Sequence, residues 1–194
     1  MASKTRTPLA LTALALLALT GCSSQPSGPR EMVTGLHSKD LCSIVQDPIA
    51  TDALAGATFK EPETYDSDDG NAECRIPSSD DTQGVKLSVG YAMRTVGDKR
   101  SIYKSLTDGG ANSKEQCSDG GSMPAVTEHL TDEVAMICNK GDNKTSTFEY
   151  TGATRNGGFT VNVTRNATDG AITAEQAQKW VDAVASKALQ PAGN

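Results

Sequence analysis

Few side chains in this sequence are of a type, and at a spacing, that could do covalent chemistry. There are two histidines, His37 and His129. Ser-His-Asp catalysis needs an imidazole held within hydrogen-bond reach of a nucleophile, and no G-x-S-x-G elbow accompanies either one. Both read as solvated or edge-strand residues. Carboxylates are more plentiful. Asp66-Ser67-Asp68-Asp69-Gly70-Asn71 spaces acidic groups as a cation-binding loop does, with a glycine that permits a sharp turn. The EF-hand register fails, because Gly70 stands fifth rather than sixth and Pro77 occupies the place of the bidentate glutamate. The stretch therefore reads as an acidic loop. Asp132-Glu133 is a second carboxylate pair, and two such groups can serve as acid and base where burial separates their pKa values. No phosphate-binding loop, dinucleotide fingerprint or H-E-x-x-H helix is present. Nothing in the sequence calls for a metal or a cofactor.

The elements that must position these residues begin with an export signal. Lys4 and Arg6 precede an unbroken run of Leu, Ala and Thr from Leu9 to Leu19, with no acidic residue before it. That run is too short for a membrane span, which needs about 20 residues of helix. It closes on Leu19-Thr20-Gly21-Cys22, which resembles the lipobox of bacterial lipoprotein precursors. The resemblance implies that the Cys22 thiol receives diacylglycerol and that cleavage makes Cys22 the new N-terminus. Two acyl chains suffice for stable anchoring where one does not. The expected organisation is a signal peptide over 1–21, the lipidated cysteine and a flexible tether over 22–35, a globular domain over 36–190 and a disordered tail over 191–194. Ser23 to Arg30 supports the tether, being Ser-, Pro- and Gly-rich with no large apolar residue.

Removing Lys4 and Arg6 leaves sixteen basic against twenty-four acidic side chains, a formal charge of −8 on the mature chain. That balance argues against nucleic acid as a partner and against polybasic attachment to anionic lipid. Membrane contact is thus left to the lipid on Cys22. The remaining cysteines, Cys42, Cys74, Cys117 and Cys138, form an even set in an exported protein and read as two structural disulfides. Three connectivities are open. Sequential pairing, Cys42–Cys74 and Cys117–Cys138, is favoured because each pair joins a helix or loop to a nearby strand. None of the four lies in a C-x-x-C, which speaks against a redox or zinc site.

Apolar periodicity then places the elements. A short helical turn is expected over Asp40 to Val45. A clear helix should start at Asp47-Pro48, with Asp47 as cap, and stop at Gly56. A strand is expected around Ala72 to Ile76. Val85, Leu87, Val89, Tyr91 and Met93 alternate with polar or small residues, as in a half-buried strand. Asp98 can cap a helix carrying Ile102, Tyr103 and Leu106. Val126 to Leu130 and Val134 to Cys138 read as short strands. Phe148 and Tyr150 should pair with Phe159, Val161 and Val163 across an Asn156-Gly157 turn. Thr173 and Gln176 form a capping box ahead of a helix whose apolar stripe runs from Ala177 through Trp180 to Leu189. The fold class that follows is α+β: a single domain, an antiparallel sheet with helices packed on one face.

The lipobox, Asp40-Leu41-Cys42 opening a helix that ends at Gly56, Cys74 in the next strand, Leu130-Thr131-Asp132-Glu133-Val134-Ala135 and the closing amphipathic helix together resemble the DUF3558-type lipoproteins of actinomycetes. Those are small lipidated proteins with a domain of unknown function, so the resemblance implies a fold and a location rather than an activity. The expected function is a non-catalytic binding or accessory module on the extracytoplasmic face of the cell membrane. Its partner would be an envelope protein or a small ligand. A cell-wall enzyme using Asp66 to Asp69 or Asp132-Glu133 is one alternative, although a single Trp and three Phe leave little for sugar stacking. The other is a lipid or hydrophobic-ligand carrier, with a cavity between the sheet and the C-terminal helix.

Overall fold

The computed structural model describes residues 28–68, 70–90, 134–138, 144–154 and 156–193. Its centre is a six-stranded antiparallel sheet. The strands are β2 (Glu63–Asp66), β3 (Asn71–Pro77), β4 (Gly84–Gly90), β5 (Val134–Cys138), β6 (Thr145–Thr154) and β7 (Gly157–Asn166). They lie in the spatial order β2-β3-β4-β7-β6-β5. Register follows from alternation, because a slip of one residue would turn every apolar side chain outward. Cys74 lies opposite Leu87, Leu87 opposite Val161, and Val161 opposite Tyr150. All four are fully buried, so this row marks the inner face.

Both main helices lie on that face. α1 (Ser38–Val45) is tied to β3 by the Cys42–Cys74 disulfide, with Cα atoms 5.2 Å apart. The long helix near the C-terminus, Ala174–Ala188, is α3. It sets Trp180 against Phe148 of β6, with ring centroids 6.0 Å apart. The expected stripe is present: Ala177, Trp180, Val181, Val184, Ala185 and Ala188 are all buried. The capping box forms as read, the Gln176 N–H donating to the Thr173 hydroxyl and the Thr173 N–H to the Gln176 side chain. The α+β class, the antiparallel sheet and one of the two expected disulfides are therefore present. For the second disulfide, Cys138 ends β5, and Cys117 lies outside the described residues. Tyr91, Met93, the helix expected after Asp98 and the strand expected at Val126 to Leu130 lie outside them as well.

Three expectations are corrected. No helix starts afresh at Asp47-Pro48. α1 begins earlier, at Ser38, and continues through one π-helical turn over Gln46–Ala50 into a short α2 (Thr51–Ala53). Pro48 has no N–H to donate, and the wider turn carries the chain past it without a break. Gly56 does close the segment, with φ of +86°. The hairpin turn sits one residue early, because Gly157 pairs opposite Thr154 and so belongs to β7.

The ordered fold also reaches into both stretches expected to be flexible. β1 (Arg30–Met32) pairs antiparallel with β8 (Leu189–Pro191) in a separate two-stranded sheet. Met32 is wholly buried. Its N–H donates to the Asn156 side chain at 2.8 Å, and its carbonyl accepts from the same amide at 2.9 Å. These partners lie more than a hundred residues away, which is why composition alone reads the segment as tether.

Candidate functional site

The acidic stretch is the first place to look for chemistry, and there the structure finds a structural role. Asp66 ends β2 beside the start of α1. Its carboxylate accepts the Ser38 N–H at 2.8 Å and the Ser38 hydroxyl at 2.6 Å. It thereby satisfies a helix N-terminal donor that has no intrahelical partner. The Ser38 hydroxyl and N–H hold the Asp66 carboxyl below the usual carboxylate range, the wrong direction for a general acid. His37 sits just ahead of α1 with its side chain three-quarters exposed, and Nδ1 is 3.8 Å from Asp66. Its backbone N–H donates to Asp40, completing the helix start. A cleft of about 390 Å³ lies here, bordered by His37, Asp66, Asp68 and Asn71. No cluster of metal-ligating side chains occurs among the described residues. Asp69, His129, Asp132, Glu133 and Cys22, the residue expected to carry lipid, lie outside the described residues.

The interior between α3 and the sheet is where a hydrophobic carrier would need its cavity. Trp180 occupies that space, fully buried, and its indole N–H donates to Asp52 at 2.7 Å. The Trp180 bond, with that from Lys179, draws the Asp52 carboxyl below its ordinary value. Two buried arginines hold the ends of the helix. Arg165 donates to the Ala171 carbonyl at 2.7 Å ahead of α3, and Arg30 donates to the Leu189 carbonyl at 3.0 Å just after it. Burial lowers the pKa of both guanidiniums, and it raises that of the fully buried Tyr150 phenol.

The outer face of the sheet is different. Alternation sends Glu63, Arg75, Lys86, Asn162 and Glu149 to one transverse row across β2, β3, β4, β7 and β6. The row reads acid, base, base, amide, acid. Arg75 pairs with Glu63 at 3.0 Å, and the Asn162 amide donates to Glu149 at 3.0 Å. Lys86 turns along the sheet to Glu73, 2.7 Å away in the adjacent row. Tyr65, on the edge strand of this face, is the one large apolar side chain among the described residues that is exposed, at 61%.

Next to the charged row the outer position on β4 is Gly84, flanked by Pro77 and Thr164. The missing side chain opens a cleft of about 180 Å³ bounded by Arg75, Lys86, Asn162, Thr164, Gln83 and Asp81. Asp81 has φ of +57° and pairs with Lys60. Sequence reasoning missed this site. Its only trace in the sequence is the polar half of the β3 and β4 alternation. Which polar residues meet is a matter of register across three strands.

Comparison with family models, with curated proteins and with solved structures finds no match to this chain.

Proposed function

We propose that this chain is a non-catalytic binding module, held on the extracytoplasmic face of the cell membrane by lipid on Cys22. It meets an envelope protein or a small polar ligand through the outer face of its sheet. The observation that carries this reading is the asymmetry of the sheet. One face is packed under α1 and α3, while the other presents an ordered array of charged and amide side chains with a cleft in it. The carboxylate that the enzyme reading would use first, Asp66, is engaged in capping α1. The signal run and lipobox support the location, and the net charge of the mature chain disfavours nucleic acid.

Two variants test the two halves of the proposal in the native host. Cys22→Ala should move the chain from the membrane pellet to the soluble fraction, and an unchanged distribution would sink the anchor. In a deletion strain, the doubly substituted Asp132→Asn, Glu133→Gln chain should complement as well as the parent. Failure of that variant to complement, at equal abundance, would favour the carboxylate-enzyme reading instead.

A further inference from the structure

Asn156-Gly157 joins β6 to β7, and its asparagine also holds β1. The Asn156 side-chain amide spans the backbone of Met32: Oδ1 accepts the Met32 N–H at 2.8 Å, and Nδ2 donates to the Met32 carbonyl at 2.9 Å. Oδ1 also accepts the Thr154 hydroxyl at 2.9 Å. Three hydrogen bonds thus fix the orientation of one amide, and two of them bind β1. The clamp needs an acceptor and a donor side by side, which an amide supplies and a carboxylate does not. Among the asparagines of the chain only Asn156 precedes a glycine. Glycine carries no Cβ, so its backbone nitrogen approaches a neighbouring group with the least hindrance. That nitrogen can reach Asn156 Cγ once the side chain is free to turn toward it.

We propose that Asn156 is a deamidation site, held back while β1 is docked, and that its conversion releases β1. In the reaction the Gly157 nitrogen bonds to Asn156 Cγ and gives up its proton. The Cγ–Nδ2 bond breaks, and Nδ2 leaves as ammonia. Water then opens the cyclic imide and leaves aspartate or isoaspartate at position 156. While Cγ is fixed by the bonds to Met32 and Thr154, the reaction has to wait for local opening, so its rate falls with the fraction of time β1 is undocked. The product cannot rebuild the clamp. A carboxylate has no N–H, so one of its oxygens faces the Met32 carbonyl with no proton between them. Isoaspartate also lengthens the backbone of the turn by one methylene. β1 and its partner β8 are three residues each, so β1 depends on this clamp, on the buried Met32 and on the Arg30 bonds to the end of α3. The conversion is therefore a one-way switch from a docked to an undocked β1. It goes beyond the binding-module reading and does not depend on it.

The test follows the full chain in detergent micelles, incubated in mildly alkaline buffer and sampled over time by peptide mass spectrometry. Conversion at Asn156 is expected in the urea-unfolded chain and should be at least about tenfold slower in the folded one. Met32→Ala leaves the backbone partners of the amide in place but loosens β1, and should speed conversion in the folded chain. Trp180 emission checks that this variant folds. Asn156→Asp reproduces one product directly. In that variant trypsin should cut after Arg30, which is buried in the parent, roughly tenfold faster, as loss of a hydrogen bond with two acceptors left facing implies. Equal conversion in folded and unfolded chains, no conversion in either, or no acceleration in a folded Met32→Ala chain overturns the proposal. So does cleavage after Arg30 no faster in Asn156→Asp than in the parent, which decides the matter if Met32→Ala does not fold.

Discussion

Asp52 shows what a single side chain decides here. It accepts from the indole of the fully buried Trp180 and from Lys179, joining the segment after α1 to the face of α3. Asp52→Ala leaves a buried indole N–H without an acceptor, which costs about 1–3 kcal/mol. Asp52→Asn keeps an acceptor oxygen and should lose less. Because Trp180 is the only tryptophan in the chain, its emission during urea unfolding reports both variants directly. The pH dependence follows from the sign of the shift. The folded Asp52 pKa lies below the unfolded one, so its contribution is complete above the unfolded carboxylate value of about 3.9. It fades as pH falls through the lower folded value. Asp52→Asn should flatten that acid arm of the stability profile, and an unchanged arm would show that other carboxylates govern it. Asp66 belongs to the same scale. Its residue type and company suggested a cation or an acid–base role, yet its two oxygens go to Ser38.

At the scale of elements, α1 is the instructive case. It is eight residues long, shorter than an isolated helix can hold in water. Three outside supports make it persist: the Asp66 cap, the burial of Leu41 and Val45 against the sheet, and the disulfide from Cys42 to Cys74. The linked residues are 32 apart in sequence. By loop-closure entropy such a ring stabilises by about 4 kcal/mol. Replacing both cysteines by alanine should lower the unfolding free energy by about that amount in urea titrations. A loss of only a few tenths of a kcal/mol, the size of an ordinary surface substitution, would mean that packing holds α1 without the bond. The Cys42–Cys74 half of the cysteine reading is present, because that pairing joins a helix to a nearby strand. The Asp47-Pro48 reading failed because a proline that starts helices elsewhere is here absorbed by a π turn inside a continuing helical segment.

For the molecule as a whole, the β1–β8 pairing brings the two ends of the described chain together. The Ala192 N–H donates to the Pro29 carbonyl at 3.0 Å, and Arg30 reaches the end of α3. A chain that starts at residue 36, where the globular domain was expected to begin, therefore lacks a strand, a buried arginine and the buried Met32. Loss of the Met32 side chain alone costs about 2–5 kcal/mol. The shortened chain should unfold at clearly lower urea concentration than one starting at residue 28. Equal midpoints would show that β1 is dispensable.

Much of this was determined by the sequence alone, and for one reason. Where an element is long and half-buried, its own period records the face it hides. β3, β4, β6, β7 and α3 carry that record in Cys74, Leu87, Tyr150, Val161 and Trp180. Short elements carry none. β1, β2 and β8 have three or four residues each, too few for a period, and exist because partners far along the chain complete them. The cleft beside Gly84 is of the same kind. Arg75, Gly84, Lys86 and Asn162 are unremarkable polar or small residues in sequence, separated by as many as 87 positions. They become neighbours only when hydrogen-bond register brings three strands side by side, and register is a property of the assembled sheet.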